Sequence, residues 1–302
     1  MVSDYAAGGA TAWADIRSTL RALAGQLPET ELEVIVCEDV RLAGELPASV
    51  LEACPGSRLV ALPASGSYAL KNAGARAARA PLVAILDADC LPQPGWAAAA
   101  LDAFRRDPAI DAVSGRTDYG GATAVRRIFA LLTRAYLDPG RRGPTRYVSN
   151  NNAAWRRATL VGHPLPERLG SFAARGQSEA ARRAGARFVF DPSMYAVHGF
   201  EGITMEADIR RNIGYGTIAT RLADPALPHA WLTRLGRASI PLFVAGKCLS
   251  TWSDCFRAFR AYGVSLYELP LALALAPVAH AIEAFGMWAA FGDRPLKRTA
   301  YR

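Results

Sequence analysis

Asp87 and Asp89 stand two residues apart in AILDADCLP, at the end of an apolar run. In an extended segment, positions i and i+2 point the same way, so both carboxylates project into one space. At roughly 4–5 Å and an effective dielectric near 20 they repel by about 3–4 kcal/mol. A divalent cation relieves that repulsion, and so does a proton on one of the two. The plainer alternative is an acid pair that caps a helix or turns a loop. A second acidic pair, Glu38-Asp39, closes the buried run LEVIVC, and His198 ends another strand-like run, FVFDPSMYAV.

The elements that must position these residues alternate. DIRSTLRALAGQ places Ile16, Leu20 and Leu23 on one helical face. Strand-like segments are expected at 32–37, 59–62, 82–86, 110–114 and ARFVFDP, with helices at 68–80, 96–106 and ending near 180–185. Pro92 and Pro94 hand the chain after Asp89 to a surface loop. This alternation predicts an α/β fold with a mainly parallel sheet over residues 1–200. Acids at the ends of such strands lie where these sheets bind ligands. Composition shifts after residue 198, and residues 201–302 are expected to form a helical, apolar and basic region.

The order of these signals resembles the family 2 glycosyltransferases, inverting enzymes of the GT-A (Rossmann-like) fold that use nucleotide-diphospho-sugars. The likeness rests on Glu38-Asp39 at an early strand end, then LKNAGARAARA, AILDADC and NNNAAWRR in order. It implies that Glu38 and Asp39 hold nucleobase and ribose, with Lys71, Asn72 and Asp87 on the same nucleotide-sugar side. It implies that Asp87, Asp89 and His198 are ligands of Mg²⁺ or Mn²⁺, a hard-oxygen set completed by diphosphate and water. Asn152, Trp155 and Arg156 would shape the acceptor side, although Trp155 also suits a core position. A UDP-sugar is the family's commonest donor.

Two departures stand out. The family opens with a full strand ending in Pro-x-Tyr-Asn, where this chain has MVSDYAAGG and Tyr5 is the nearest match. The catalytic base, a carboxylate that takes the acceptor hydroxyl's proton, falls in a Glu-Asp pair about a dozen residues before the glycine matched by Gly185. Here the stretch reads SFAARGQSEAARRAG. Glu179 is the expected base and Glu167 the next choice; a surface glutamate facing Arg182 and Arg183 is the competing reading. The departures also admit a catalytically weakened homologue that binds nucleotide sugar or a membrane partner.

Formal charge is +8, and only three of the 35 basic residues are lysine. Arginine suits phosphate and anionic lipid because its planar fork binds oxyanions bidentately, and GC-rich coding gives the same bias. Five cysteines without a CxxC spacing fit a reducing compartment and argue against a disulfide framework or zinc site. No aromatic-interleaved basic strand points to nucleic acid. The N-terminus lacks the charged and apolar regions of a secretory signal. Two apolar stretches, 240–249 and 269–291, follow, the second interrupted by Pro270, Pro277, His280 and Glu283. A mid-helix charge costs about 2.5–3.5 kcal/mol on insertion scales, so an interfacial helical pair is expected rather than a span. Arginines and lysines flank these stretches, where they would meet anionic headgroups. The expected location is cytoplasmic, peripheral at the inner face of the membrane, with a lipid-linked or membrane-proximal acceptor. A homodimer is compatible with the same surfaces.

Overall fold

The computed structural model describes residues 13–292 apart from 29, 45, 64, 65 and 201, so Tyr5 lies outside the described residues. Helix α1 (Ala14–Ala24) buries Ile16, Leu20 and Leu23 as the sequence pattern requires and leads to β1 (Ile35–Asp39). Short helices α2 (Val40–Ala43) and α3 (Ala48–Leu51) follow, then β2 (Arg58–Leu62), α4 (Ser67–Ala77) and β3 (Leu82–Leu86). The chain continues through β4 (Cys90–Pro92), α5 (Trp96–Arg106), β5 (Ala112–Asp118), α6 (Ala124–Arg134), the two-residue β6 (Gly143–Pro144), β7 (Asn152–Arg156) and α7 (Arg157–Gly162). A 3₁₀ turn, Glu167–Phe172, opens α8 (Ala173–Arg183), and β8 (Phe188–His198) closes the α/β part.

The strands form two sheets. β1 and β2 pair in parallel, and the larger sheet has the order β3-β7-β5-β8-β4, with β6 beside β8. β5 and β8 are parallel, while β7 runs against both β3 and β5, so β3, β5 and β8 share one direction. That shared direction brings the carboxyl ends of the long strands to one edge. Gly115 sits at the irregularity of the β5–β8 ladder, and a Cβ there would meet the Met194 carbonyl at 2.1 Å. The fold needs a glycine at that crossing.

A core of α1, α5 and the sheet gathers Leu20, Val36, Leu86, Trp96, Phe104 and Val113. Between β1 and β3 lies a crevice of about 670 Å³ that reaches Lys71. Beyond β8, α9 (Ile203–Ala223), a 3₁₀ segment (Ala230–Ser239), α10 (Ile240–Ala258), a 3₁₀ turn (Phe259–Tyr262) and α11 (Leu269–Ala290) form a helical layer. It is anchored on the α/β part by a shared core, where Ile128, Leu131 and Leu132 of α6 meet Cys255, Tyr262, Leu269 and Ala272. α9 and α11 cross closely at glycines. A Cβ on Gly214 would lie 1.8 Å from the Glu283 carbonyl, and one on Gly286 would lie 1.9 Å from that of Arg211.

Candidate active site

The end of β3 delivers Asp87, and the turn after it delivers Asp89. β4 pairs antiparallel with β8 so that Cys90 faces His198. That register is why a histidine 109 positions later reaches the acid pair. Asp87, Asp89, Cys90 and His198 each offer a ligand atom, all within 4.8 Å of one another. His198 Nδ1 lies 3.3 Å from Asp89 Oδ2 and 2.6 Å from the Gly199 carbonyl.

Asp89 is the most strained of these groups. It is buried, and neither carboxylate oxygen accepts a hydrogen bond. Burial, and then the charge of Asp87, push its pKa up to about 7. An orphaned buried carboxylate costs several kcal/mol unless something pairs with it. Two carboxylates and an imidazole at these separations fit a hard divalent cation. Burial pushes the Cys90 thiol well above its ordinary pKa, so it stays a neutral neighbour.

Lys71 is not a solvated helix charge. It is buried on α4 with its ammonium 2.5 Å from Asp87 Oδ1 and 5.6 Å from the Tyr68 ring centre. Glu38 and Asp39, both buried, end β1. Glu38 Oε1 accepts the Asp39 amide at 2.8 Å, and the largely exposed Arg41 clasps Asp39 through Nε (2.9 Å) and Nη2 (2.5 Å). Asn72 braces the loop before the 3₁₀ turn, exchanging hydrogen bonds with the Leu165 backbone at 2.9 and 2.8 Å.

The expected acceptor side needs correction. Asn152 is fully buried and ties three strands together: Nδ2 donates to the Arg116 and Met194 carbonyls, and Oδ1 accepts from Trp96 Nε1. Trp155 is 0% exposed and packs edge-on against Phe188. Arg156 binds the Ile110 carbonyl at 2.8 Å and that of Pro108, and lies over the Phe104 ring. The physical reason is strand direction. β7 is antiparallel to β3, with Asn152 opposite Leu86 and Arg156 opposite Leu82, so each step leads away from Asp87 by about 3.3 Å. The preceding residues point the right way: the Asn151 carbonyl accepts the Asp87 amide at 3.4 Å, and Ser149 Oγ bonds Asn151.

Glu179 is buried on α8 rather than exposed on it. Its Oε1 accepts from Arg146 (2.8 and 3.0 Å) and from the Tyr147 hydroxyl (3.1 Å), and Arg182 lies 3.5 Å from Oε2. Burial raises its pKa, but Arg146, Tyr147 and Arg182 outweigh that and leave it lowered. Two residues absent from the sequence reading lie beside the Asp87, Asp89 and His198 group. Tyr119, just past β5, meets the His198 ring edge-on at 5.8 Å, and Arg134 stacks over Tyr119 at 5.5 Å. Their positions at the ends of β5 and α6 were the available signal.

An α/β sheet whose strand ends gather an Asp-x-Asp pair, a buried lysine and a histidine defines a glycosyltransferase of the GT-A class. The chain belongs to glycosyl transferase family 2, which matches residues 10–160. Among solved structures, the mannosyltransferase PcManGT from Pyrobaculum calidifontis, in complex with GDP-Man and Mn²⁺, is similar. It shows 19% identity and a TM-score of 0.63 over 97% of this chain and 86% of that one. S. aureus TarS 1–349 in complex with UDP-GlcNAc shows 15% identity and a TM-score of 0.49 over 98% and 92%. No curated protein matches the sequence.

Proposed function

We propose that this enzyme transfers a sugar, with inversion, from a nucleotide-diphospho-sugar to an acceptor presented at a membrane surface. The observation that carries the reading is the buried Asp89 carboxylate, without a hydrogen bond and beside Asp87 and His198. These three residues would hold Mg²⁺ or Mn²⁺, which supplies Lewis-acid assistance to the departing diphosphate. Lys71 sets a second positive charge beside Asp87, placed to orient a donor phosphate. Glu38 and Asp39 lie on the nucleobase and ribose side, where Arg41 orients the Asp39 carboxylate, whose remaining lone pairs can accept from a ribose hydroxyl. The family's commonest donor is a UDP-sugar, whereas PcManGT is described with GDP-Man, so both bases belong in the test. Calorimetry of UDP and GDP is expected to show binding with Mn²⁺ and little in EDTA. Equal binding in EDTA would contradict the metal-dependent donor site.

The membrane half of the proposal rests on α10 and α11. α11 is long and apolar enough to cross a membrane, yet a third of it is buried against the protein. From Leu271 on, its exposed positions, Leu271, Ala274, Val278, Ala281, Phe285 and Trp288, recur every three or four residues and are all apolar. Leu242, Leu249 and Phe256 extend that face on α10, and Trp231, Leu235, Leu266 and Tyr267 add exposed apolar or aromatic side chains in the flanking segments. Arg237 stacks on Trp288, and Arg257 and Arg260 are exposed at the far end of α10. An uncharged apolar face with an arginine rim matches the anionic inner leaflet of a cytoplasmic membrane. Co-sedimentation with anionic liposomes, released by high salt, is the expected result; concentration-dependent dimerisation without liposome binding would assign the face to a second copy.

The capture of Glu179 by Arg146 favours one other reading, a homologue that binds nucleotide sugar without turnover. Release of free sugar or product from any UDP- or GDP-sugar would exclude it.

A further inference from the structure

His198 is the last residue of β8, and a glycine follows it. Strand pairing fixes its backbone, with Cys90 opposite on β4 and the preceding Val197 opposite Asp118 on β5. Pairing does not fix the ring, which turns about two side-chain bonds, the outer one broad and roughly two-fold. A histidine that is to hold a cation is aimed by what touches the rest of its ring. Nδ1 lies 2.6 Å from the Gly199 carbonyl. A carbonyl can only accept, so Nδ1 carries the proton and Nε2 keeps the lone pair. Tyr119 supplies a further contact from a different strand end, its ring edge-on to the imidazole at 5.8 Å.

Tyr119 is itself pinned from the helical layer. It follows β5 and precedes Gly120 and Gly121, a backbone with little hold on a side chain. Yet it is only 3% exposed. Its hydroxyl donates to Glu206 Oε1 at 2.6 Å, a length typical of a charge-assisted bond. Glu206 is buried in the first turn of α9, where a helix favours a carboxylate. Thr133 of α6 donates to its other oxygen at 3.4 Å. Phe200, tilted at 5.3 Å, and Arg134, at 5.5 Å, close on the Tyr119 ring.

A bond that only stitches α9 to the sheet needs no histidine beyond the ring. This one joins the helical layer to the acid pair in two contacts, Glu206 to Tyr119 and Tyr119 to His198.

We propose, building on the transferase reading above, that Glu206 and Tyr119 are positioning residues for the cation site. Glu206 fixes the Tyr119 hydroxyl, the Tyr119 ring fixes the His198 imidazole, and the affinity of the donor site for Mn²⁺ is set in part from α9. The helical layer then completes the site as well as carrying the apolar face.

Three variants of the full-length protein test this. Tyr119→Phe keeps the ring and loses only the hydroxyl, Glu206→Leu removes the acceptor, and Glu206→Gln keeps one. The chain has four histidines, and His198→Gln identifies which nitrogen-15 NMR signals of the metal-free protein belong to residue 198. At alkaline pH those signals should report a proton on Nδ1 in wild type and Glu206→Gln, and a mixture of tautomers in Tyr119→Phe and Glu206→Leu. Mn²⁺ titrated in the presence of GDP or UDP, and followed by electron paramagnetic resonance, should bind the last two about tenfold more weakly, the low end of the cost of losing a group behind a metal ligand. Combining those two substitutions should weaken it no further, because both cut the same chain of contacts. A bond that only stitches elements together would lower the denaturation midpoint and leave the His198 signals and Mn²⁺ affinity as in wild type; that result overturns the proposal. Should Glu206→Leu fail to fold, Tyr119→Phe decides by the same criterion. Wild-type Mn²⁺ affinity retained in the variants overturns this inference alone; a wild type that binds no Mn²⁺ with either nucleotide overturns the cation-dependent transferase reading beneath it.

Discussion

Two of the buried clusters of charge among the described residues are built oppositely. In the α/β part, Asp89 is buried without a hydrogen bond and its pKa is pushed up to about 7. In the helical layer, Glu283 is 0% exposed, yet Arg210 lies 3.0 Å from Oε1, while Lys247 (2.9 Å) and His280 (3.1 Å) face Oε2. Burial would raise Glu283, but those neighbours, Lys247 first, hold it far below the usual carboxylate range. One cluster has spare negative charge and open ligand atoms, and the other has its charge answered by the chain itself. Burial of acids therefore does not mark a site. Burial without an answer does.

That contrast orders the expected effects. The largest belongs to Glu283→Ala, which strands Arg210 and Lys247 in the helical layer; breaking a buried pair this way costs about 3–5 kcal/mol. Chemical denaturation should show that loss while Mn²⁺-dependent nucleotide binding survives in the folded fraction. Asp89→Asn should do the reverse, leaving the midpoint level or raised and weakening nucleotide binding at least tenfold. If both variants lose stability and keep nucleotide binding, the two clusters are the same kind of object.

Next in size is Gly286→Ala, whose Cβ would sit 1.9 Å from the Arg211 carbonyl. Prising α9 from α11 should cost about 1–3 kcal/mol, the usual range for overpacking. It should also lower the melting temperature together with the Glu283 cluster that the same crossing encloses. An unchanged melting temperature would mean the helices part without cost.

A comparable effect follows from pH. Asp89 is raised above its unfolded value, so between about pH 4 and pH 7 the folded state binds more protons than the unfolded one. Metal-free stability should then fall as pH rises through that window. Mn²⁺ binds the ionised form, so at pH 8 it should restore stability, by about 2.7 kcal/mol at one hundred times its dissociation constant. A metal-free profile that rises with pH and gains nothing from Mn²⁺ would contradict the account of Asp89.

The smallest stability effect is expected at the apolar face. Phe285 is 71% exposed, so Phe285→Ser should change stability by less than about 0.5 kcal/mol and still reduce liposome co-sedimentation. Unchanged co-sedimentation would remove α11 from the membrane contact.

Much of the α/β part was legible because its signals are local. The Asp-x-Asp spacing, the acidic end of β1 and the helix carrying Lys71 are each written within a few residues. The acceptor side was not legible, because NNNAAWRR does not state which way its strand runs. Once β7 lies antiparallel to β3, Asn152, Trp155 and Arg156 point into the body of the fold, and Ser149 and Asn151 flank Asp87 instead. Glu179 is the base expected from the sequence, and its competing reading as a surface acid rests on Arg182 and Arg183 as visible neighbours, whereas Arg146 and Tyr147 close on it from a distant loop. His280 and Glu283 read as interruptions of an apolar helix. They are the inward half of an ion cluster whose other members, Arg210 and Lys247, belong to α9 and α10.

The central claim is that the unanswered carboxylate beside Asp87 is a cation site for a nucleotide diphosphate. Electron paramagnetic resonance of Mn²⁺ titrated with the protein and GDP or UDP tests it most directly, since the signal of hydrated Mn²⁺ fades as the ion is bound. The account predicts stoichiometric loss of that signal with wild type and nucleotide, and its persistence with Asp89→Asn under the same conditions. A signal that fades equally for both proteins, or for neither, would contradict it.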